Sequence, residues 1–114
     1  MKKPEKMSGQ ALNARLERIP SWRLLDGKLH RELEFDNFVD AFGFMTRVAL
    51  VSEAMAHHPE WSNVWNRVTI DLFTHDVDAI SELDFQLAEQ IETFVVHGGQ
   101  GQNRTDSQPE AAGC

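Results

Sequence analysis

The stretch Ala56-His57-His58-Pro59-Glu60-Trp61, AHHPEW, separates two different hydrophobic patterns in this chain. Before it, apolar residues recur at helical spacing from about Asp36, which can cap a helix, to Ala56. After it, apolar and polar residues alternate as they do in a strand. Because proline cannot continue a helix and disfavours the helical conformation of the preceding residue, the long helix should end near His57. The stretch therefore predicts a helix-to-strand junction that carries two adjacent histidines.

The long helix before the junction carries two apolar stripes, and one sheet can cover only one of them well. The first stripe consists of Phe38, Phe42, Met45 and Ala49, and the second of Phe44, Val48, Val51 and Met55. The second stripe is either part of a wide core face or a subunit interface, and we favour the interface in a chain this small. We therefore predict a homodimer or homotetramer that assembles through the long helix and a sheet edge.

The segments on both sides of this helix complete the outline of the fold. Residues 63–74 alternate as one strand, with Val64, Val68, Ile70 and Leu72 on the buried face. Earlier in the chain, Asp26-Gly27 predicts a hairpin turn, and a first helix should run from Gly9 to Ile19 with Ser8 as its cap. The last helix should begin at the capping box Ser81-Glu82-Leu83-Asp84 and end at Gly98-Gly99.

This order predicts an α+β fold in which helices pack on one face of an antiparallel sheet. We expect one domain over residues 8–97, between a disordered leader (1–7) and a disordered polar tail (98–114). The chain has 114 residues and a net charge of −7, which argues against binding of nucleic-acid phosphates as its main function. Its single cysteine, Cys114, excludes an internal disulfide, and the sequence shows neither a signal peptide nor a membrane span. A cytosolic protein is the simplest interpretation.

Three of the five histidines follow the ends of predicted elements. His57 and His58 close the long helix, and His75 closes the long strand. Since the unperturbed imidazole pKa is about 6.5, histidines that face one cleft could divide general acid and base work between them. Glu53 precedes His57 by one helical turn and could orient its ring, although a solvated surface pair is the commoner result of this spacing.

A zinc site is the competing interpretation of these histidines, with Glu53 or Asp76 as a further ligand. The usual helical spacing of ligand histidines is missing, which makes this alternative the weaker one. Trp61 and Trp65 could form a flat wall for an aromatic ligand, but core packing and interface contacts are commoner uses of tryptophan.

Four motifs in this order are typical of one enzyme family: FGFMTRVAL at 42–50, HHPEW at 57–61, NV at 63–64 and TH at 74–75. Through them the chain resembles pterin-4a-carbinolamine dehydratases along most of residues 8–96. The resemblance implies a four-stranded α-β-β-α-β-β-α fold and a cytosolic enzyme that converts 4a-hydroxytetrahydropterin to quinonoid dihydropterin. That reaction recycles the cofactor of aromatic amino acid hydroxylases, and the resemblance implies no metal or organic cofactor for the dehydratase.

The resemblance also implies a set of site residues. The catalytic positions match His57, His58 and His75. Further substrate-contacting positions match Pro59, Thr74, Asp76 and Val77, and nearby acidic positions match Glu53 and Asp84. We take His57 and His75 as the acid and base pair, with His58 positioning the pterin.

Two expectations complete the comparison with the family. Ala79 stands where the family usually has glycine, so that a positive φ at this position would strain the loop beside His75. Animal members also serve as dimerization cofactors of a homeodomain transcription factor through the long helix. A protein-binding coactivator, present in the nucleus as well, is therefore the alternative function, with charge at Phe44, Val48 or Val51 expected to abolish binding.

Overall fold

The computed structural model describes residues 4–98, with side chains to residue 95. Its helices are α1 (Gly9–Glu17), α2 (Phe38–Met55) and α3 (Glu82–Gly98), and its strands are β1 (Arg23–Leu25), β2 (Lys28–Glu34), β3 (Glu60–Val64) and β4 (Arg67–Leu72). A short 3₁₀ turn, His75–Val77, precedes α3. The order α-β-β-α-β-β-α confirms the predicted α+β class, while the predicted tail lies outside the described residues except for Gly98.

All four strands form one antiparallel sheet in the order β1-β2-β4-β3. The predicted first hairpin is confirmed, because Asp26 and Gly27 connect β1 to β2 and both have positive φ values, 55° and 79°. Two consecutive residues of this conformation make a turn whose twist matches that of the flanking strands.

The prediction of one strand from Asn63 to Thr74 is wrong, because a second hairpin interrupts it at Trp65 and Asn66. Trp65 adopts the left-handed conformation, with φ of 52°, and Asn63 donates side-chain hydrogen bonds to the carbonyls of Trp65 and Arg67. Val64 is consequently exposed on edge strand β3 instead of buried. A tryptophan at a left-handed position is not a usual turn signature, although the two asparagines are residues that favour turns.

The hydrophobic core lies between α2, α3 and the inner face of the sheet. Its fully buried members include Leu29 from β2, Ile70 and Leu72 from β4, and Leu87 and Ile91 from α3. α1 contributes no buried residue, although Leu12 and Leu16 pack partly against the same core. Within residues 4–98, no helix is long and apolar enough to cross a membrane.

The two stripes of α2 have the opposite roles to those predicted. Phe44 and Val48 of the second stripe are buried in the core, and Val51 and Met55 pack against it. Phe38, Phe42 and Ala49 of the first stripe are exposed, while Met45 is partly buried. A charged residue in place of Phe44, Val48 or Val51 would therefore destabilise the hydrophobic core. These substitutions cannot report selectively on partner binding.

The helix ends also differ in detail from the sequence interpretation. α1 ends at Glu17 instead of Ile19, and its N-cap Ser8 makes no side-chain capping bond. The N-cap of α2 is Asn37, one residue after the predicted Asp36, and its Oδ1 accepts the backbone N–H of Asp40 at 2.8 Å. α3 begins at Glu82, directly after Ser81, as the predicted capping box required.

Candidate active site at the helix and strand ends

His57 is held at the end of α2 by the way this helix terminates. Ala56 takes the left-handed conformation, and the His57 N–H donates to the Ser52 carbonyl, five residues back, at 3.0 Å. This is the hydrogen bond of a Schellman-type helix end. The chain therefore turns at Ala56, before it reaches Pro59, and carries the His57 side chain into the protein, where it is 9% exposed.

The partner of His57 is Asp84 of α3. Nε2 of His57 and Oδ1 of Asp84 are 2.6 Å apart, and the Asp84 side chain is completely buried. An ionised carboxylate only accepts hydrogen bonds, so Nε2 carries the proton and Nδ1 is the remaining ring nitrogen. Since Glu53 does not contact this ring, the suggestion that Glu53 orients His57 is wrong.

The other oxygen of Asp84 joins the ends of three elements. Oδ2 accepts from the Thr74 hydroxyl at 2.6 Å and from the Ser81 backbone N–H at 2.9 Å. The Ser81 and Thr74 hydroxyl oxygens are 2.7 Å apart, and because Thr74 already donates to Asp84, Ser81 is the donor of this bond. The predicted capping acid is thus confirmed as a cap, and it also links α2 and the segment after β4.

His58 lies on the surface at the same junction. Its Nε2 is 2.9 Å from Oε1 of Glu53, and the two side chains are 60% and 80% exposed. An exposed pair of this kind contributes little to stability. The structure therefore assigns Glu53 to His58 instead of His57, and leaves His58 accessible to a ligand.

His75 begins the 3₁₀ turn after β4 and also contacts a carboxylate. Its Nε2 is 3.0 Å from Oε2 of Glu60, whose other oxygen accepts from Nζ of Lys28 at 2.6 Å. The hydrogen bond from Lys28 lowers the pKa of Glu60, burial opposes this effect, and the bond to His75 adds to it. Glu60 is part of the HHPEW motif, yet the pattern alone does not show which of its residues reaches His75.

The remaining predicted residues lie around these side chains. Thr74 is buried, Pro59 and Val77 are partly exposed, and Asp76 is exposed in the 3₁₀ turn. The positive φ in this loop falls on Asp78 at 52°, so the strain anticipated at Ala79 is absent. Ala79 instead exchanges two backbone hydrogen bonds with Thr74, of 3.0 and 3.3 Å, which close the loop.

The zinc site and the tryptophan wall are the two other interpretations of residues in this region. In residues 4–98 that the structure describes, no group of three or more His, Cys, Asp or Glu side chains is arranged to hold a metal ion. Trp61 packs partly against the core, while Trp65 occupies the β3–β4 turn and is exposed.

Comparison with known proteins connects this geometry to a family. The family model described as pterin 4 alpha carbinolamine dehydratase matches residues 5–94. A protein of Prochlorococcus marinus (strain MIT 9303) is 55% identical over 85 residues, which cover 75% of this chain and 88% of that protein. One of Solibacter usitatus is 52% identical over 89 residues, covering 78% and 94%. Both carry the name "putative pterin-4-alpha-carbinolamine dehydratase".

A solved structure supports the same relationship. The crystal structure of a transcriptional coactivator/pterin dehydratase from Brucella melitensis superimposes with a TM-score of 0.76 at 35% sequence identity. The match covers 79% of this chain and 98% of that one. The residues matched by the family model, 5–94, contain every side chain of the candidate site. The chain therefore belongs to the pterin-4a-carbinolamine dehydratase family.

Proposed function

We propose that this protein dehydrates a 4a-hydroxytetrahydropterin to quinonoid dihydropterin and water in the cytoplasm, recycling tetrahydropterin for aromatic amino acid hydroxylases. The observation that carries the proposal is the buried His57–Asp84 pair, which is tied through Thr74 to the residue before His75. A buried carboxylate with three hydrogen-bond donors is a rigid support for an imidazole that must exchange a proton.

The reaction needs one proton delivered and one removed. The C–O bond at the carbinol carbon breaks, the leaving oxygen takes a proton and departs as water, and the adjacent ring nitrogen loses its proton as the C=N bond forms. Histidine suits both transfers near neutral pH, so two imidazoles can act as acid and base without any cofactor.

The three histidines have different surroundings, which suits different roles. His57 is buried and fixed by Asp84, so it serves as one proton-transfer group, and His75 serves as the other. His58 is exposed and positions the pterin together with Pro59, Asp76 and Val77. The Thr74 hydroxyl donates its proton to Asp84 and accepts from Ser81, so we assign Thr74 a supporting role beside the substrate.

A stopped-flow dehydratase assay on freshly generated carbinolamine tests the proposal. His57→Ala and His75→Ala should each lower turnover by about 10²-fold, because each removes one proton-transfer group. Asp84→Asn should also lower turnover, since the amide is a poorer acceptor for the imidazole N–H. Glu34→Gln, which neutralises an exposed carboxylate of β2, is the matched control. An inactive, folded wild-type protein, or near-normal turnover in both histidine variants, contradicts the assignment.

A second candidate function is protein binding, and the exposed apolar face of α2 favours it. We define this face by its large exposed residues, Phe38, Val39, Phe42 and Leu50. Contiguous apolar surface on a small protein usually marks an interface. We propose that a second copy of the chain covers this face, giving a homodimer or homotetramer. A transcription factor is the alternative occupant, since the similar protein from Brucella melitensis is named a transcriptional coactivator.

A further inference from the structure

We propose that Glu60 is a positioning residue that fixes the imidazole of His75 through Nε2 and leaves Nδ1 as the nitrogen that exchanges a proton with the substrate. This inference deepens the proposed function and rests on it. Glu60 belongs to the HHPEW motif but is not among the site residues that the resemblance implied. Its support comes from hydrogen bonds, ring contacts and the strand register around His75.

Both carboxylate oxygens of Glu60 are engaged. Oε2 lies 3.0 Å from Nε2 of His75, and Oε1 accepts from Nζ of Lys28 at 2.6 Å. Each partner therefore binds a separate oxygen, and the carboxylate cannot rotate without breaking both contacts. Lys28 thus restrains Glu60, and Glu60 in turn restrains His75.

Aromatic contacts hold the same ring from another side. The ring of Phe73 meets that of His75 edge to face, with centroids 5.1 Å apart and planes at 74°. Nζ of Lys28 lies 5.5 Å from the centroid of Phe73, within the range of a cation–π contact. Lys28, Glu60, Phe73 and His75 therefore form a closed cluster, which we call the His75 clamp.

The sheet brings the clamp together from three strands. Lys28 begins β2, Glu60 begins β3, and Phe73 and His75 follow the end of β4. Glu60 is the register partner of Asp71, so it lies directly beside the end of β4 where the chain continues to His75. The clamp is consequently set by strand pairing and does not depend on the 3₁₀ turn alone.

The hydrogen bond to Glu60 determines the tautomer of His75. Glu60 is ionised at neutral pH, since the bond from Lys28 lowers its pKa and the bond from His75 lowers it further against the opposing effect of burial. An ionised carboxylate accepts only, so the neutral imidazole must carry its proton on Nε2. His57 uses Nε2 in the same way toward Asp84, so both rings keep Nδ1 for the substrate.

His75 needs such a clamp more than His57 does. The His75 side chain is 73% exposed, whereas that of His57 is 9% exposed and packed inside the protein. An exposed imidazole without a partner rotates freely and exchanges tautomers in water. Because exposed ion pairs are weak, we expect the clamp to change turnover by about fivefold, well below the loss expected when His75 itself is removed.

The test compares Glu60→Ala and Glu60→Gln with the matched control Glu34→Gln in the full-length chain. Long-range ¹H–¹⁵N spectra report which ring nitrogen of each histidine is protonated, and His75→Gln identifies the His75 signals. Wild-type protein and Glu34→Gln should show the Nε2–H tautomer of His75. Glu60→Ala should show a mixture of tautomers, and Glu60→Gln should retain part of the preference because its amide oxygen can still accept.

Kinetics supply the second readout. Glu60→Ala should lower kcat about fivefold with KM within about twofold, and Glu60→Gln should restore part of kcat. An Nδ1–H tautomer in wild-type protein overturns the inference, and so does a Glu60→Ala variant with unchanged spectra and kcat. If the wild-type protein has no dehydratase activity, the proposed function fails, while the spectra still decide whether Glu60 positions His75.

Discussion

Three histidines at the candidate site use the same ring nitrogen, Nε2, to reach three different carboxylates. The pairs are His57 with Asp84, His58 with Glu53, and His75 with Glu60. Only the first pair is buried, and its carboxylate also receives two neutral donors. The residues that support the histidines, more than the histidines themselves, distinguish the buried and fixed ring of His57 from the exposed rings of His58 and His75.

Another histidine, His30, makes a testable contribution to stability. It is buried on the sheet, with Nδ1 2.8 Å from Asp71 and Nε2 2.7 Å from Glu32. Burial lowers the pKa of His30, but the two carboxylates outweigh that effect and raise it overall. Both ring nitrogens therefore donate when the ring is charged.

The pH dependence of stability follows from this raised pKa. The contribution of His30 to folding stability should be complete below its pKa in the unfolded chain, about 6.5. It should be lost as the pH rises through the higher pKa of His30 in the folded protein. Urea unfolding at pH 5.5 and 8.5 should show that His30→Gln costs about 1 kcal/mol more at the lower pH. His58→Gln, at an exposed histidine, is the control, and an equal cost of His30→Gln at both pH values would refute the argument.

At the scale of elements, the ends of α2 determine where the site lies. Asn37 begins the helix with a side-chain cap, and Ala56 ends it in the left-handed conformation so that His57 turns inward. Serine, like asparagine, favours the N-cap position, yet Ser8 makes no side-chain hydrogen bond at the start of α1. A capping residue therefore stabilises a helix only where the bond is actually formed.

Substitutions at the two helix starts should show this difference. Asn37→Ala should lower the free energy of unfolding by about 1 kcal/mol, because the Asp40 N–H loses its acceptor. Asn37→Asp should retain most of the stabilisation by the cap, and Ser8→Ala should change the free energy of unfolding by less than about 0.5 kcal/mol. Chemical denaturation measures all three, and equal losses for Asn37→Ala and Ser8→Ala would show that the cap is unimportant.

At the scale of the whole molecule, α2 divides the protein into an enclosed side and an open one. Its inner residues close the core against α3 and the sheet, while the apolar face defined by Phe38, Val39, Phe42 and Leu50 remains in solvent. Phe38 and Phe42 stack on each other within that face, with centroids 5.4 Å apart. Two large members of this face thus pack against each other within the single chain.

This division predicts how assembly responds to charge. Light scattering of the wild-type chain should give a multiple of its 13.0 kDa mass, and Phe42→Glu with Leu50→Glu should reduce it to the monomer. The double variant should still unfold cooperatively on heating, whereas Val48→Glu, at a core position, should abolish cooperative unfolding. A monomeric wild type, or an unchanged mass in the double variant, would contradict assembly through this face.

Local sequence determined much of the fold, because several elements depend on short-range chemistry. Asp26-Gly27 specifies its hairpin turn through two positive φ values, and Ser81 with Asp84 specifies the start of α3 through a capping box. The motif order around HHPEW was likewise enough to predict the family. The second hairpin was not predicted, since Trp65 lacks the usual turn signature, although the Asn63 side chain bonds across the turn to the carbonyls of Trp65 and Arg67.

Only the tertiary structure decided which side chains meet. Helical spacing places Glu53 near His57, but the left-handed turn at Ala56 directs His57 to Asp84, 27 residues away in sequence. Spacing also cannot tell which stripe of α2 is buried, because both are apolar and burial depends on where α3 and the sheet lie. The sequence by itself therefore determined most of the elements, the family and the candidate histidines. Long-range packing decided the carboxylate partner of each histidine and the face left open.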